Sequence, residues 1–139
     1  MVIKWPVFGQ DRDQFMFMIN SEQGLDSLET IDIEGKEYMG WDVCGIPVEF
    51  FLDKRKIRVR PTSEIAQKEE LRRAILKYAA LASPKIPFKT DLPEDDIIGL
   101  FMAVEQHIKS TGMMRTIKRL ATEIMGRLRK TKGSHFFNS

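Results

Sequence analysis

The sequence contains a single cysteine and two histidines among its 139 residues. One cysteine excludes an internal disulfide and any zinc site built from several cysteines. No apolar run reaches the roughly 20 residues that cross a bilayer. Lys4, Pro6 and the charged residues that follow Gln10 interrupt the apolar start, so we expect no signal peptide. These absences favour a cytoplasmic protein without a membrane partner.

The composition is that of an ordinary globular chain, with 42% hydrophobic and 30% charged residues. This balance is unlike that of disordered or membrane-embedded chains. The length suits one domain, so residues 1–139 are predicted to form a single domain. Within it we expect a sheet over 1–61, a helical layer over 62–130 and a polar tail over 131–139.

The net charge of +2 conceals an uneven distribution along the chain. Residues 1–61 carry a balance of −3, residues 62–108 a balance of −2, and residues 109–139 a balance of +7. A basic end of this kind could meet an acidic partner, or it could pack against the acidic first half of the same protein.

The first half of the chain has the pattern of short strands. Apolar runs of strand length occupy residues 2–8 and 15–19, with a turn-like GQDRDQ between them. One or two helical turns are expected after Ser21, and another strand over residues 30–33. The sequence therefore predicts an antiparallel meander of four to five strands in this half.

Residues 37–60 predict three of these strands, joined by two-residue turns at Cys44-Gly45 and Lys54-Arg55. In this register Trp41 lies opposite Val48, and Phe50 lies opposite Val59. Since side chains alternate between the faces of a sheet, one inner face would collect the apolar residues Met39, Trp41, Val43, Ile46, Val48, Phe50, Leu52, Ile57 and Val59. The outer face would place Tyr38 opposite Phe51, and Phe51 opposite Arg58.

The second half has the 3.6-residue periodicity of helices. One helix is predicted from an N-cap at Thr62 or Ser63 to Ser83, and a second from a capping box that begins at Asp91. A third is predicted from Met113 to Lys130. The fold class is therefore α+β, with three helices covering the apolar face of the sheet.

Residues suited to catalysis are few and scattered. Cys44 lies at a predicted turn without a neighbouring histidine, and the neighbouring carboxylates Asp95 and Asp96 lie near a predicted helix start, where acidic residues are common for dipole reasons. His107 lies on the predicted apolar stripe of its helix. The sequence has no glycine-rich phosphate loop at a strand-to-helix turn. We therefore expect no cofactor and no metal, and an enzyme is less favoured than a binding protein.

Two surfaces have binding chemistry. The first is the predicted outer sheet face with Tyr38, Phe51 and Arg58, where aromatic rings alternate with cations as in proteins that bind single-stranded nucleic acids. Cross-strand charge pairs explain the same face without any ligand. The second is the basic side of the third predicted helix, with Arg115, Lys118 and Arg119.

The favoured function is a small non-enzymatic interaction or regulatory module that acts as a homodimer or binds another protein. One alternative is nucleic-acid binding through the basic third helix and the Tyr38, Phe51 and Arg58 face. The other alternative is a small enzyme with a site around Cys44, His107 and the pair Asp95/Asp96.

Overall fold

The computed structural model describes residues 2–111, and five strands of this part form one antiparallel sheet. The strands are β1 (Val7–Gln10), β2 (Met16–Ile19), β3 (Met39–Asp42), β4 (Pro47–Asp53) and β5 (Lys56–Pro61). A 3₁₀ helix (Glu22–Ser27) and helix α1 (Thr30–Glu34) lie between β2 and β3, and helices α2 (Lys68–Ala82) and α3 (Ile97–Ser110) follow β5. The predicted α+β class is confirmed. The third predicted helix, 113–130, and the predicted tail lie outside the described residues.

The strand order is β2-β1-β3-β4-β5. The predicted meander therefore holds for β3, β4 and β5, whereas β1 rather than β2 is the neighbour of β3. The chain leaves β2 at the edge of the sheet and returns through the 3₁₀ helix and α1 before it enters β3. This connection brings two short helical elements to one face of the sheet.

The turn between β3 and β4 contains three residues, not the predicted two. Asp42 N–H donates to Ile46 O at 2.9 Å and Gly45 N–H donates to Asp42 O at 2.9 Å. Gly45 has a φ of +84°, which is the left-handed conformation that closes three-residue hairpin loops. The extra residue shifts the register by one, so Trp41 pairs with Pro47 and Gly40 pairs with Val48.

This shift separates residues that were predicted to share one face. Because a one-residue slip moves a side chain to the other side of the sheet, Trp41 lies on the opposite face from Val48 and Phe50. The two faces therefore carry two cores. Phe8, Met16 and Trp41 pack with α2 and α3. The other core joins Val7, Ile19, Val48, Phe50 and Ile57 with Leu25 of the 3₁₀ helix and Ile33 of α1.

The register between β4 and β5 agrees with the prediction. Glu49 pairs with Arg60, Phe51 with Arg58, and Asp53 with Lys56. The two-residue turn at Lys54 and Arg55 is also confirmed, and both residues have positive φ angles, as this tight hairpin turn requires.

Three predictions about helices and strands are wrong. Residues 30–33 form the start of α1 rather than a strand; Ile33 is buried there while Ile31 is 73% exposed. Helix α2 begins at Lys68, with Gln67 rather than Thr62 or Ser63 at the N-cap position. Helix α3 begins after Asp96, whose carboxylate accepts the Gly99 N–H at 2.9 Å, so the predicted capping box at Asp91 precedes the helix.

Candidate interaction groove

A groove opens beside β4 at the place where β3 and β4 part. Its volume is about 420 Å³. The side next to α1 and the following loop is formed by Ile33, Glu34, Lys36 and Tyr38, and the side next to the sheet by Glu49, Phe50, Phe51, Leu52 and Arg60. The groove contacts residues from both faces of the sheet, since consecutive β4 residues point to opposite faces. It therefore follows the edge of β4.

Tyr38 forms the aromatic end of the groove. Its ring lies edge-on to Phe17, with centroids 5.1 Å apart, and its centroid lies 6.0 Å from that of Phe50. The hydroxyl donates to Asp32 Oδ2 of α1 at 3.0 Å. Burial, followed by this hydrogen bond to the Asp32 carboxylate, raises the pKa of Tyr38 to about 12. The side chain is therefore a neutral, fixed hydrogen-bond donor rather than an acid-base group.

Phe51 and two arginines form the opposite side of β4. The Arg60 guanidinium lies over the Phe51 ring, 4.1 Å from its centroid, and forms an ion pair with Glu49. Arg58 lies on the same face of the sheet, where its Nε is 3.0 Å from Asp53 Oδ2 and its Nη1 is 3.5 Å from Glu22 Oε1. Both arginines are therefore matched by carboxylates, and the face of the Phe51 ring is occupied by Arg60.

The predicted patch of Tyr38, Phe51 and Arg58 is divided by the observed register. Phe51 and Arg58 are paired across β4 and β5, as predicted. Tyr38 was predicted to lie opposite Phe51, and that pairing is wrong because the three-residue turn moves it toward Phe50. Tyr38 and Phe51 still line the same groove, from two sides of the β4 edge. The basic candidates Arg115, Lys118 and Arg119 lie outside the described residues.

The candidate catalytic residues are placed far apart or serve other roles. His107 Nε2 lies 2.9 Å from Ile86 O, and its ring meets Phe88 edge-on. Asp96 caps the start of α3, about 16 Å from His107 by the rise of 11 helical residues. Cys44 is half-buried in the β3–β4 turn. Among residues 2–111 no cluster of three His, Cys, Asp or Glu side chains could hold a metal ion.

Asp42 has a structural role that the sequence pattern did not predict. This carboxylate is only 2% exposed and accepts the backbone N–H groups of Cys44 at 2.9 Å, Ile46 at 3.1 Å and Lys4 at 3.3 Å. It holds the β3–β4 turn and ties the N-terminal arm to it. An aspartate immediately before a glycine-containing turn is the signal that could have revealed it, because such side chains commonly accept N–H groups two residues ahead.

A second carboxylate, that of Glu105 in α3, is half-buried beside α2. Tyr78 Oη donates to Glu105 Oε2 at 3.3 Å. Burial raises the pKa of Glu105, while the hydrogen bond from Tyr78 and the charge of Lys109 act in the opposite direction. A raised carboxyl pKa means that the folded protein binds this proton more tightly than the unfolded chain does. Its contribution to stability is therefore present at low pH and is lost as the pH rises through the folded pKa.

We predict that Glu105→Gln weakens the pH dependence of the free energy of unfolding. Glutamine keeps an acceptor for Tyr78 but cannot ionise, so the free energy of unfolding should decrease less in the variant than in the wild type as the pH rises above the ordinary glutamate pKa of about 4.3. Urea unfolding at several pH values measures the difference. The exposed Glu64→Gln serves as the matched control and should follow the wild-type profile. Superimposable profiles of Glu105→Gln and wild type would contradict the prediction.

Comparison with protein-family models, curated proteins and solved structures finds no match to this chain. Within the described residues, no helix combines the length and apolar character needed to cross a membrane.

Proposed function

We propose that the protein is a small cytoplasmic, non-enzymatic interaction module that binds another protein in the groove beside β4. The observation that carries this proposal is the groove itself, which is lined by the half-buried aromatic side chains of Tyr38 and Phe51 and by the core residue Phe50. Aromatic side chains contribute strongly to protein–protein contacts because they bury a large area with few rotatable bonds.

The charges around the groove suit a protein partner. Glu34, Lys36, Glu49 and Arg60 lie in its walls, so acidic and basic side chains are present in equal number. A mixed rim of this kind around an apolar centre is the usual arrangement at protein interfaces. A nucleic-acid site would need a surplus of cations, and Arg60 is already paired with Glu49.

A random-peptide phage library is the probe that tests this function. We expect peptides to be enriched on the purified protein, and their addition to shift the NMR signals of residues 33–38 and 49–52. Phe51→Ala should weaken the binding of an enriched peptide at least about tenfold, because it removes aromatic contact area in the groove.

Met102→Ala is the matched control for this experiment. Met102 is 54% exposed on α3, outside the groove, so its truncation should leave the affinity within about twofold of the wild type. The proposal is overturned if no peptide is enriched, or if all enriched peptides shift residues elsewhere and bind Phe51→Ala as well as the wild type.

The homodimer expected from the sequence stays a prediction. Large apolar side chains are exposed on α1, β3 and α3, among them Ile31, Met39 and Met102, and they offer area that a second copy could cover. Size-exclusion chromatography with light scattering measures the assembly. A monomer mass at every concentration would exclude the dimer and leave binding to a different protein.

A further inference from the structure

The register of β4 determines which of its backbone groups face β5. Thr62 N–H donates to Pro47 O at 2.9 Å, and Glu49 and Phe51 pair with Arg60 and Arg58 in the same register. In an antiparallel ladder alternate residues direct both their N–H and C=O groups to the same neighbour. The odd-numbered residues of β4 therefore bond to β5. Val48, Phe50 and Leu52 direct their backbone N–H and C=O groups to the opposite side of β4, where β3 lies.

On that other side β3 accompanies only the first part of β4. The ladder pairs Trp41 with Pro47 and Gly40 with Val48, and it ends there. The backbone N–H groups of Lys36 and Glu37 donate to Ile33 O at 3.1 Å and Asp32 O at 3.0 Å, so this segment bonds to α1 rather than to β4. For Phe50 and Leu52, residues 2–111 supply no backbone hydrogen-bond partner on this side. Two N–H and two C=O groups therefore face the groove.

We propose that the groove binds an extended segment of the partner protein as an additional strand along Phe50–Leu52. This inference rests on the proposed function and specifies its mode. A strand lies about 4.8 Å from its neighbour, and the groove of about 420 Å³ lies between β4 and α1, along the part of β4 that β3 does not pair. Main-chain hydrogen bonds to Phe50 and Leu52 then supply affinity, as in other cases of strand addition to an open sheet edge.

The two sides of the groove define the partner's side chains. An added strand alternates between the faces of the sheet. On one face its side chains meet Ile33, Tyr38 and Phe50, which are apolar or aromatic. On the other face they lie beside Phe51, Glu49 and Arg60, where two side chains are charged. The partner is therefore an extended segment with apolar residues at every second position and polar or charged residues between them.

A second copy of β4 fits this edge poorly. The symmetric antiparallel register that uses all the free groups of both copies pairs Phe50 with Leu52 of the second copy. It brings Glu49 opposite Asp53 of the second copy, and the symmetry repeats this contact. Like charges placed directly opposite each other destabilise a strand pair, so the occupant is a segment of a different protein.

Backbone methylation of a phage-selected peptide tests the mode of binding. Strand addition requires the N–H groups of alternate peptide residues, so N-methylation at those positions should weaken binding by about tenfold or more. N-methylation at the intervening positions should leave the affinity within about twofold, because those N–H groups point away from β4.

Amide hydrogen exchange gives the matching readout on the protein. The amides of Phe50 and Leu52 should exchange faster than those of Glu49 and Phe51 in the free protein, and they should become protected when the peptide binds. The amides of Glu49 and Phe51 bond to β5 in both states and should change little.

The outcomes separate this inference from the function on which it rests. Peptides that bind in the groove but show no alternation on methylation, and leave Phe50 and Leu52 unprotected, overturn strand addition while the interaction module stands. Absence of any groove-binding peptide overturns both. An alternating effect of N-methylation along the peptide, together with protection of the Phe50 and Leu52 amides, supports both strand addition and the interaction module.

Discussion

Replacing Gly45 with alanine is expected to lower the free energy of unfolding by about 3 kcal/mol, because alanine is strained in a left-handed backbone conformation and its Cβ atom would overpack the site. Gly45 has a φ of +84°. A Cβ atom there would also lie 2.6 Å from the backbone N of Lys68 and 2.8 Å from its Cα. This contact is with the main chain at the start of α2, where Gln67 N–H donates to Gly45 O at 2.7 Å, so a side chain cannot simply rotate away.

Gly35→Ala is the control for this experiment. Gly35 has a φ of −78°, and the nearest atom to an added Cβ is 3.1 Å away, at the carboxylate end of Glu37. Its substitution should change the free energy of unfolding by less than about 1 kcal/mol. Urea unfolding of both variants at neutral pH measures the two values. Similar effects at the two positions would show that the conformation of Gly45 and its contact with α2 do not limit stability.

Replacing Asp42 with alanine is expected to reduce the free energy of unfolding by about 3 kcal/mol or more, because it leaves three backbone N–H groups without their charged acceptor. These groups belong to Cys44, Ile46 and Lys4. Removing the buried charge offsets part of this loss, since its desolvation no longer opposes folding. The turn should loosen together with the N-terminal arm, so the amides of Cys44 and Ile46 should exchange faster with solvent.

The matched control is Asp26→Ala. Asp26 is exposed in the 3₁₀ helix, and its truncation should shift the free energy of unfolding by no more than about 0.5 kcal/mol. Denaturant unfolding and amide exchange should be measured on the same samples. If Asp42→Ala is as stable as Asp26→Ala, then the buried carboxylate does not hold the turn.

The parts of the fold that could be predicted are those in which local pattern and tertiary packing agree. Ile97, Leu100, Phe101, Val104 and Ile108 repeat at helical spacing and are all buried in α3. The β4–β5 register follows from alternation that places Glu49 beside Arg60 and Phe50 beside Val59. In both cases every residue of the segment supports the same arrangement.

The wrong prediction of the β3–β4 turn occurs where one residue decides between two similar backbone arrangements. A two-residue and a three-residue turn both use Gly45, and the choice depends on the N–H groups that Asp42 accepts. The two turns place Trp41 on opposite faces of the sheet. Because both faces are covered by helical elements, apolar residues occur on both sides of the strands, and the sequence pattern does not reveal the slip.

Only the aromatic residues of the groove could be singled out from the sequence, and not the groove itself. Tyr38 and Phe51 were recognised as unusual on a sheet, yet the groove that they line exists because β3 turns away after pairing Gly40 with Val48. Ile33 and Lys36 reach it through the short helix α1, which was predicted as a strand. The position of a short helix of this kind depends on the tertiary packing of Ile33 rather than on its own periodicity.

The 3₁₀ helix has a consequence for self-association. It packs against β5 and also against β2, which are the two outermost strands of the sheet. Uncovered outer strands can join copies of a protein into open-ended filaments. Here the 3₁₀ helix lies next to both outer strands. The free backbone groups of β4 belong instead to an inner strand, in the segment between Glu49 and Asp53. Under the proposed strand addition, the partner would bind between β4 and α1 rather than at β2 or β5, the outer strands at which a sheet could extend.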